Sequence, residues 1–264
     1  MHEVTLTPAE LEELAGAAGL LEASIVVDPL DSPVGGASFE ADRPLSPASM
    51  IKVPVAVALG ERCRAGELAL SQRTSIAERN LTFNDVPSPF VPGASATLEE
   101  LARAMLAASD NTATNVLIDV LGREAITAQC RSLGLAQTFV RRKLSGSLPL
   151  IDDPPATGRN AHPASDAARL LRIVAERAKT GPNLVFAALA AQRWNEKLSA
   201  GFSPGDGFAH KTGDTDEVSH DGGILTLENG RRYVVVVYTG LPSSPEVDRR
   251  FAAFARALRL RLAP

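Results

Sequence analysis

Ser49-Met50-Ile51-Lys52 sets a hydroxyl and an amine three residues apart, at the head of an apolar run from Met50 to Leu59. On a helix, positions i and i+3 share a face, so the lysine amine can sit beside the serine oxygen. The start of a helix also favours negative charge through its dipole. A buried lysine near other cations has a lowered pKa and can take the serine proton, which makes the serine a nucleophile. Of all the serines, only Ser49 has a lysine three residues on. Taken alone, the pattern fits a surface helix start better than a catalytic pair.

Two further patterns bear on it. Ser109-Asp110-Asn111 occurs once, at the end of an expected helix. Its serine could relay a proton to a leaving nitrogen, and its asparagine could hold a substrate amide or orient Lys52. Ser, Asp and Asn also gather at helix ends, so Asn111 could simply cap the next helix. Lys-Thr-Gly occurs twice, at Lys179-Thr180-Gly181 and at Lys211-Thr212-Gly213. The first copy ends a helical pattern and precedes Pro182, so Gly181 reads as a helix C-cap and the lysine as a partner of the dipole. The second copy reads as strand, where a lysine beside a hydroxyl suits a substrate carboxylate. Lysine is scarce: five stand among 27 basic residues, the rest being arginine. A chain that keeps lysine somewhere can be using its ability to lose a proton, which arginine lacks.

The elements that must position these groups follow from periodicity and punctuation. Thr7 and Glu10 flank Pro8 as a capping box for a helix to about Ala18. Strands are expected over Ala23–Val27 and Ala37–Ala41. The run Met50–Leu59 is helical, with Pro54 tolerated in its first turn. Helices and loops then extend to about Leu198, with helices capped at Thr97 and over Thr112–Leu121 and Ala164–Ala178. A long loop covers Ser145–His162, the kind usually tied to function or disorder. Strands return over Ala209–Thr212, Gly222–Leu227 and Tyr233–Thr239, with an Asn229-Gly230 hairpin turn. A last helix spans Glu246–Leu262, and its arginines read as a solvated face.

This order implies an α+β (α/β sandwich) fold. N- and C-terminal strands form one antiparallel sheet flanked by the terminal helices, and an all-helical lobe is inserted between them. Residues 1–48 and 200–264 make the sheet lobe and 49–199 the helical lobe, with a ligand cleft between the two. A net charge of −4 gives no field for nucleic acid or an anionic membrane surface. Cys63 and Cys130 read as reduced core or helix residues with no metal site. No signal peptide or apolar run of about 20 residues is visible, so a cytoplasmic location is expected.

Together, Ser49-x-x-Lys52, Ser109-Asp110-Asn111 and Lys211-Thr212-Gly213 resemble the triple signature of serine β-lactamases and penicillin-binding proteins. Their spacing is similar to that of class A β-lactamases: 60 residues separate Ser49 from Ser109, and 102 separate Ser109 from Lys211. The resemblance runs over nearly the whole chain. It implies that Ser49 is acylated, that Lys52 is the base, that Ser109 passes a proton to the leaving nitrogen and that Lys211 and Thr212 hold a substrate carboxylate. Gly213 completes that motif. The oxyanion would meet the backbone N–H groups of Ser49 and Asp214, donors worth roughly 3 kcal/mol. Asn111 would position Lys52 and the substrate side chain. His220 falls near a family arginine that assists carboxylate binding, and it fits equally well as a histidine in a turn before Gly222. No cofactor is implied, and the partner is a small molecule bearing a carboxylate, with the oligomeric state open.

The chain departs from the class A pattern in its long loop. The glutamate that activates the deacylating water would fall near Ser145 to Ser147, where no carboxylate stands. Asp152 and Asp153 are the nearby candidates, although Asp-Asp-Pro-Pro is ordinary turn chemistry. Ala56 and Ala102 occupy the positions near a disulfide of some relatives. The motif contexts look closer to β-lactamase-like serine hydrolases without leader peptides. Three functions therefore compete: a β-lactam hydrolase, fast or slow; a DD-peptidase-like or esterase/amidase enzyme; and a non-catalytic carboxylate-binding protein. A Ser-His-Asp enzyme is disfavoured by the absence of a Gly-x-Ser-x-Gly elbow.

Overall fold

The computed structural model describes residues 6–32, 35–145 and 158–263. Helix α1 (Pro8–Ala18) opens on the expected capping box: the Thr7 N–H donates to the Glu10 carboxylate at 2.9 Å, and the Glu10 N–H donates to the Thr7 hydroxyl at 3.2 Å. Strands β1 (Ser24–Pro29) and β2 (Ala37–Phe39) follow. The helical block holds α2 (Lys52–Arg64), α3 (Leu98–Ala107), α4 (Asn111–Leu121), α5 (Arg123–Ser132), α6 (Ala164–Ala178) and α7 (Leu184–Ala190), together with a two-stranded ribbon of β3 (Arg73–Ser75) and β4 (Ser95–Thr97). Strands β5 (Gly207–Asp214), β6 (Ser219–Thr226) and β7 (Arg232–Thr239) and helix α8 (Pro245–Leu262) close the chain.

The five long-range strands form one antiparallel sheet in the order β2-β1-β7-β6-β5. Alternation along β7 sends Tyr233, Val235 and Val237 to one face and Val234, Val236 and Tyr238 to the other. The first face packs on α1 and α8 through Leu11, Phe251, Phe254 and Leu258. The second continues into a single apolar core with α2, α3, α4 and α6. A buried aliphatic or aromatic side chain contributes roughly 1.5–3 kcal/mol, so these two cores carry most of the stabilisation. The α+β sandwich expected from element order is the observed architecture. Helix α6, from the middle of the chain, lies against the sheet at β1, β6 and β7.

Four elements escaped the sequence reading. Strands β3 and β4 are three residues each, too short to show a period of two. Helix α5 buries only Ile126 and Cys130, which leaves its apolar stripe thin. Helix α7 has seven residues, capped by Asn183, whose side chain accepts from the Phe186 N–H. Strand β5 sits at an edge of the sheet and forms the wall next to the nucleophile.

Candidate active site

Ser49 lies in a 3-10 turn, Ala48–Ile51, and α2 begins only at Lys52. A 3-10 turn repeats every three residues, so positions 49 and 52 eclipse rather than merely share a face. Met50 and Ile51, both fully buried, hold this turn in the core. Gly213 lets β5 lie against it: a Cβ there would come within 3.2 Å of Ala48 Cβ, Met50 Cγ and the Pro47 carbonyl. The backbone is strained on both sides of the site, with φ of 45° at Ala48 and 58° at Ser109, a region that non-glycine residues enter at a cost.

Lys52 is buried completely. Its Nζ lies 2.9 Å from Ser49 Oγ, 2.9 Å from Ser109 Oγ, 2.6 Å from the Ser109 carbonyl and 2.7 Å from Asn111 Oδ1. Burial pushes its pKa well below the usual lysine value, and the nearby Lys211 charge pushes the same way. An ammonium has three hydrogens for four oxygens, whereas a neutral amine donates two and accepts one at its lone pair. The neutral form is thus able to accept a hydroxyl proton while remaining tethered to its other neighbours.

Asn111 does not cap α4, as it could have. Asp110 does, its carboxylate accepting from the Ala113 N–H at 2.7 Å, which leaves the Asn111 side chain for the site. Asn111 Nδ2 donates to the Phe83 carbonyl at 2.9 Å, and its backbone N–H donates to Asn84 Oδ1 at 2.6 Å. Asn84 in turn donates to the Thr82 carbonyl and to Thr112 Oγ1. The 82–85 loop is thereby fastened to the head of α4.

Lys211 and Thr212 are neighbours on β5, and of the two it is Thr212 that lines the cavity at Ser49. Lys211 is fully buried, and its Nζ donates to the Thr212 carbonyl at 2.8 Å. Burial, helped by the Lys197 charge, brings its pKa down to about 7, against the pull of Asp214. A cavity of about 470 Å³ wraps this edge of the sheet and is lined by Ser49, Ser109, Thr212, Asp214 and Asp85, with Trp194, Glu196, Lys197, Ser243 and Asp248 beyond. Asp214 meets Lys197 Nζ at 2.5 Å and accepts from Ser219 Oγ at 3.0 Å. Lys197 also donates to the His220 carbonyl at 3.1 Å and lies 5.3 Å from the centre of the Phe251 ring. A buried pair beneath this wall, His210 Nδ1 and Asp221 Oδ1 at 2.8 Å, ties it to the sheet, since Asn195 meets His210 and the Leu198 N–H donates to Asp221.

His220 is not among the residues that line the cavity. It lies inside β6, fully buried, stacked on Tyr238 with ring centres 4.1 Å apart. Burial lowers its pKa to about 4, so it is neutral. Nε2 lies 2.6 Å from the Ser46 carbonyl, and Nδ1 lies 2.8 Å from the Ser219 carbonyl and 3.3 Å from the Thr239 nitrogen. It braces the segment ahead of Ser49 rather than a substrate carboxylate. The other Lys-Thr-Gly copy is remote from these groups: Lys179 pairs with Glu176 and Asp31, and it is Lys179, not Gly181, that caps α6.

Sequence reasoning missed Asp85, Trp194, Glu196, Lys197, Ser243 and Asp248. Lysine scarcity was the one usable signal. Lys52, Lys143, Lys197 and Lys211 are buried and Lys179 alone is not, so lysine marks interior cations here, of which proton transfer is one use. The long loop is pinned at its start, where Lys143 pairs with Asp119 and the Leu144 N–H donates to Asn115 Oδ1 at 2.8 Å. At its end, Asn160 Oδ1 accepts from the Arg141 and Arg142 N–H groups. Asp152 and Asp153 lie outside the described residues. Among the described residues, no group of three or more His, Cys, Asp or Glu could hold a metal, and no helix is long and apolar enough to cross a membrane.

A family model described as the beta-lactamase enzyme family matches residues 8–260. The chain is 39% identical to a β-lactamase of Rhodobacter capsulatus over 93 residues, which is 33% of this chain and 30% of that protein. It is 29% identical to β-lactamase CTX-M-4 of Salmonella typhimurium over 219 residues, covering 80% of this chain and 74% of the relative. Among solved structures, PBP-A superposes with a TM-score of 0.82 at 24% identity, covering 98% of each chain. A leucine-to-glutamate variant of PBP-A, solved as an acyl-enzyme complex with penicillin G, superposes with a TM-score of 0.80 at 25% identity, again covering 98% of each.

Proposed function

The chain belongs to the beta-lactamase enzyme family, and from that premise we propose that it is a serine hydrolase that opens the β-lactam amide through an acyl-enzyme on Ser49. The observation that carries this reading is the fully buried Lys52 amine 2.9 Å from Ser49 Oγ, its pKa pushed well down by burial. Lys52 takes the hydroxyl proton as Ser49 Oγ attacks the carbonyl carbon. The oxyanion is met by the backbone N–H groups of Ser49 and Asp214. Ser109, in contact with the same amine, passes the proton to the departing ring nitrogen. Lys211 and Thr212 hold the substrate carboxylate, with Gly213 letting the strand approach. Asn111 keeps Lys52 aligned and faces the substrate side chain. The partner is thus a small molecule bearing a carboxylate.

A second reading, a DD-peptidase-like enzyme that acylates readily and deacylates slowly, is favoured by one observation. Ser145 stands near where a class A deacylation glutamate would be. Incubation with penicillin G and a chromogenic cephalosporin, followed by intact mass and turnover beside Ser49→Ala, tests both. Fast turnover lost in the variant supports the first reading, and a persistent Ser49 adduct supports the second. No adduct and no turnover would sink them together.

A further inference from the structure

Four carboxylates line the cavity with Ser49: Asp85, Glu196, Asp214 and Asp248. They are not equivalent. Asp214 is engaged by Lys197 and Ser219. Asp248 lies at the head of α8, with one oxygen buried and without a partner. Asp85 alone among them is close enough for its charge to be felt by both Lys52 and Lys211, the amines on either side of the reacting bond. It is exposed, and no hydrogen bond or ion pair engages its carboxylate among the described residues. Its backbone is nonetheless fixed, because neighbouring Asn84 is bonded to Asn111, Thr82 and Thr112. A carboxylate with free lone pairs, on an anchored loop, lining the nucleophile's cavity and open to water has the attributes of a general base.

We propose that Asp85 is the deacylation base, taking from the 82–85 loop the part that a class A glutamate near Ser145 would play. This inference rests on the acyl-enzyme reading above. An Asp85 oxygen accepts a proton from a water molecule as that water's oxygen bonds to the acyl carbon of the Ser49 ester. The tetrahedral intermediate then expels Ser49 Oγ, which receives the water's proton from Asp85 by way of the neutral Lys52 amine. One ester bond breaks, one carboxylic acid forms, and the enzyme is restored.

The test is pre-steady-state mass spectrometry with penicillin G on the wild type, Asp85→Asn, Asp85→Glu and Glu196→Gln. Asp85→Asn is expected to acylate at the wild-type rate and to hold its adduct about 100-fold longer or more, since a positioned base is worth about 10²–10⁴-fold. Asp85→Glu should recover part of the decay rate, and Glu196→Gln should decay as the wild type does. The inference is overturned if the Asp85→Asn adduct decays normally, if Glu196→Gln slows decay equally, or if the wild-type adduct itself persists. A wild type that forms no adduct at all strikes the underlying acyl-enzyme reading instead.

Discussion

Lys52 and Lys211 are both fully buried and both held below the ordinary lysine pKa, yet their amines have opposite surroundings. Lys52 meets four oxygens from three residues, Ser49, Ser109 and Asn111. Among the described residues Lys211 meets one, the carbonyl of its own neighbour Thr212. A base that must act on a fixed hydroxyl gains from complete enclosure, because its lone pair then has one direction to point. A cation that must receive an anion from solution gains from being left with unused donors. Burial lowers both pKa values by the same physics, and the hydrogen-bond shell decides which use follows.

Removing the enclosed amine is the harshest way to break this contrast. Lys52→Ala should cut the acylation rate about 10²–10⁴-fold, the usual worth of a positioned base, in a burst assay with penicillin G. Lys52→Arg should be no better, because arginine does not give up its proton. Normal acylation by either variant would move the base elsewhere. Removing the open amine should act selectively. Lys211→Ala loses a hydrogen bond to a charged group worth about 1.5–3 kcal/mol, or roughly 10- to 150-fold in kcat/KM for a substrate bearing a carboxylate. An ester substrate lacking the carboxylate should be nearly unaffected, and equal losses on both would end the assignment.

The two amines also predict opposite limbs of a pH profile. Acylation needs neutral Lys52, so it is present above the lowered Lys52 pKa and falls as pH drops through it. Carboxylate capture needs protonated Lys211, so the apparent affinity should fall as pH rises through about 7. A substrate without a carboxylate should lose the alkaline limb and keep the acid one. Lys211 acts on stability with the opposite sign to its effect on carboxylate affinity. Between about 7 and 10.5 the unfolded chain binds a proton at Lys211 that the folded chain does not, so stability rises with pH across that window. Lys211→Met should flatten that slope in thermal melts. The smallest effect belongs to Asp110, whose cap is worth about 1 kcal/mol. Asp110→Ala also removes a charge that raises the Lys52 pKa, so its acid limb should move to lower pH.

The parts of this site legible in the sequence were those set by local periodicity. Ser49 and Lys52 are three residues apart, the box at Thr7 and Glu10 announces a helix, and β7 alternates cleanly. The Lys211 copy of its tripeptide could be told from the Lys179 copy because one follows a strand pattern and the other a helix. What stayed hidden depends on contacts across long sequence distances. Asp85 reaches the site only because Asn84 bonds to Asn111, and Lys197 arrives through a loop tied down by His210 and Asp221. His220 fitted two roles because its strand face, and therefore its burial under Tyr238, follows from the β6–β7 register.

The left-handed backbone at Ala48 and Ser109 has a consequence for how this enzyme can be altered. Each is disfavoured by about 1–2 kcal/mol relative to a residue without a Cβ. Ala48 offers no side-chain chemistry in exchange, so glycine there is expected to relieve the strain but to loosen the turn that aims the nucleophile. Glycine at 109 would relieve strain only by deleting a hydroxyl that contacts Lys52. Selection for heat tolerance and selection for turnover should therefore pull these two positions apart, with thermostable variants accumulating at 48 well before 109.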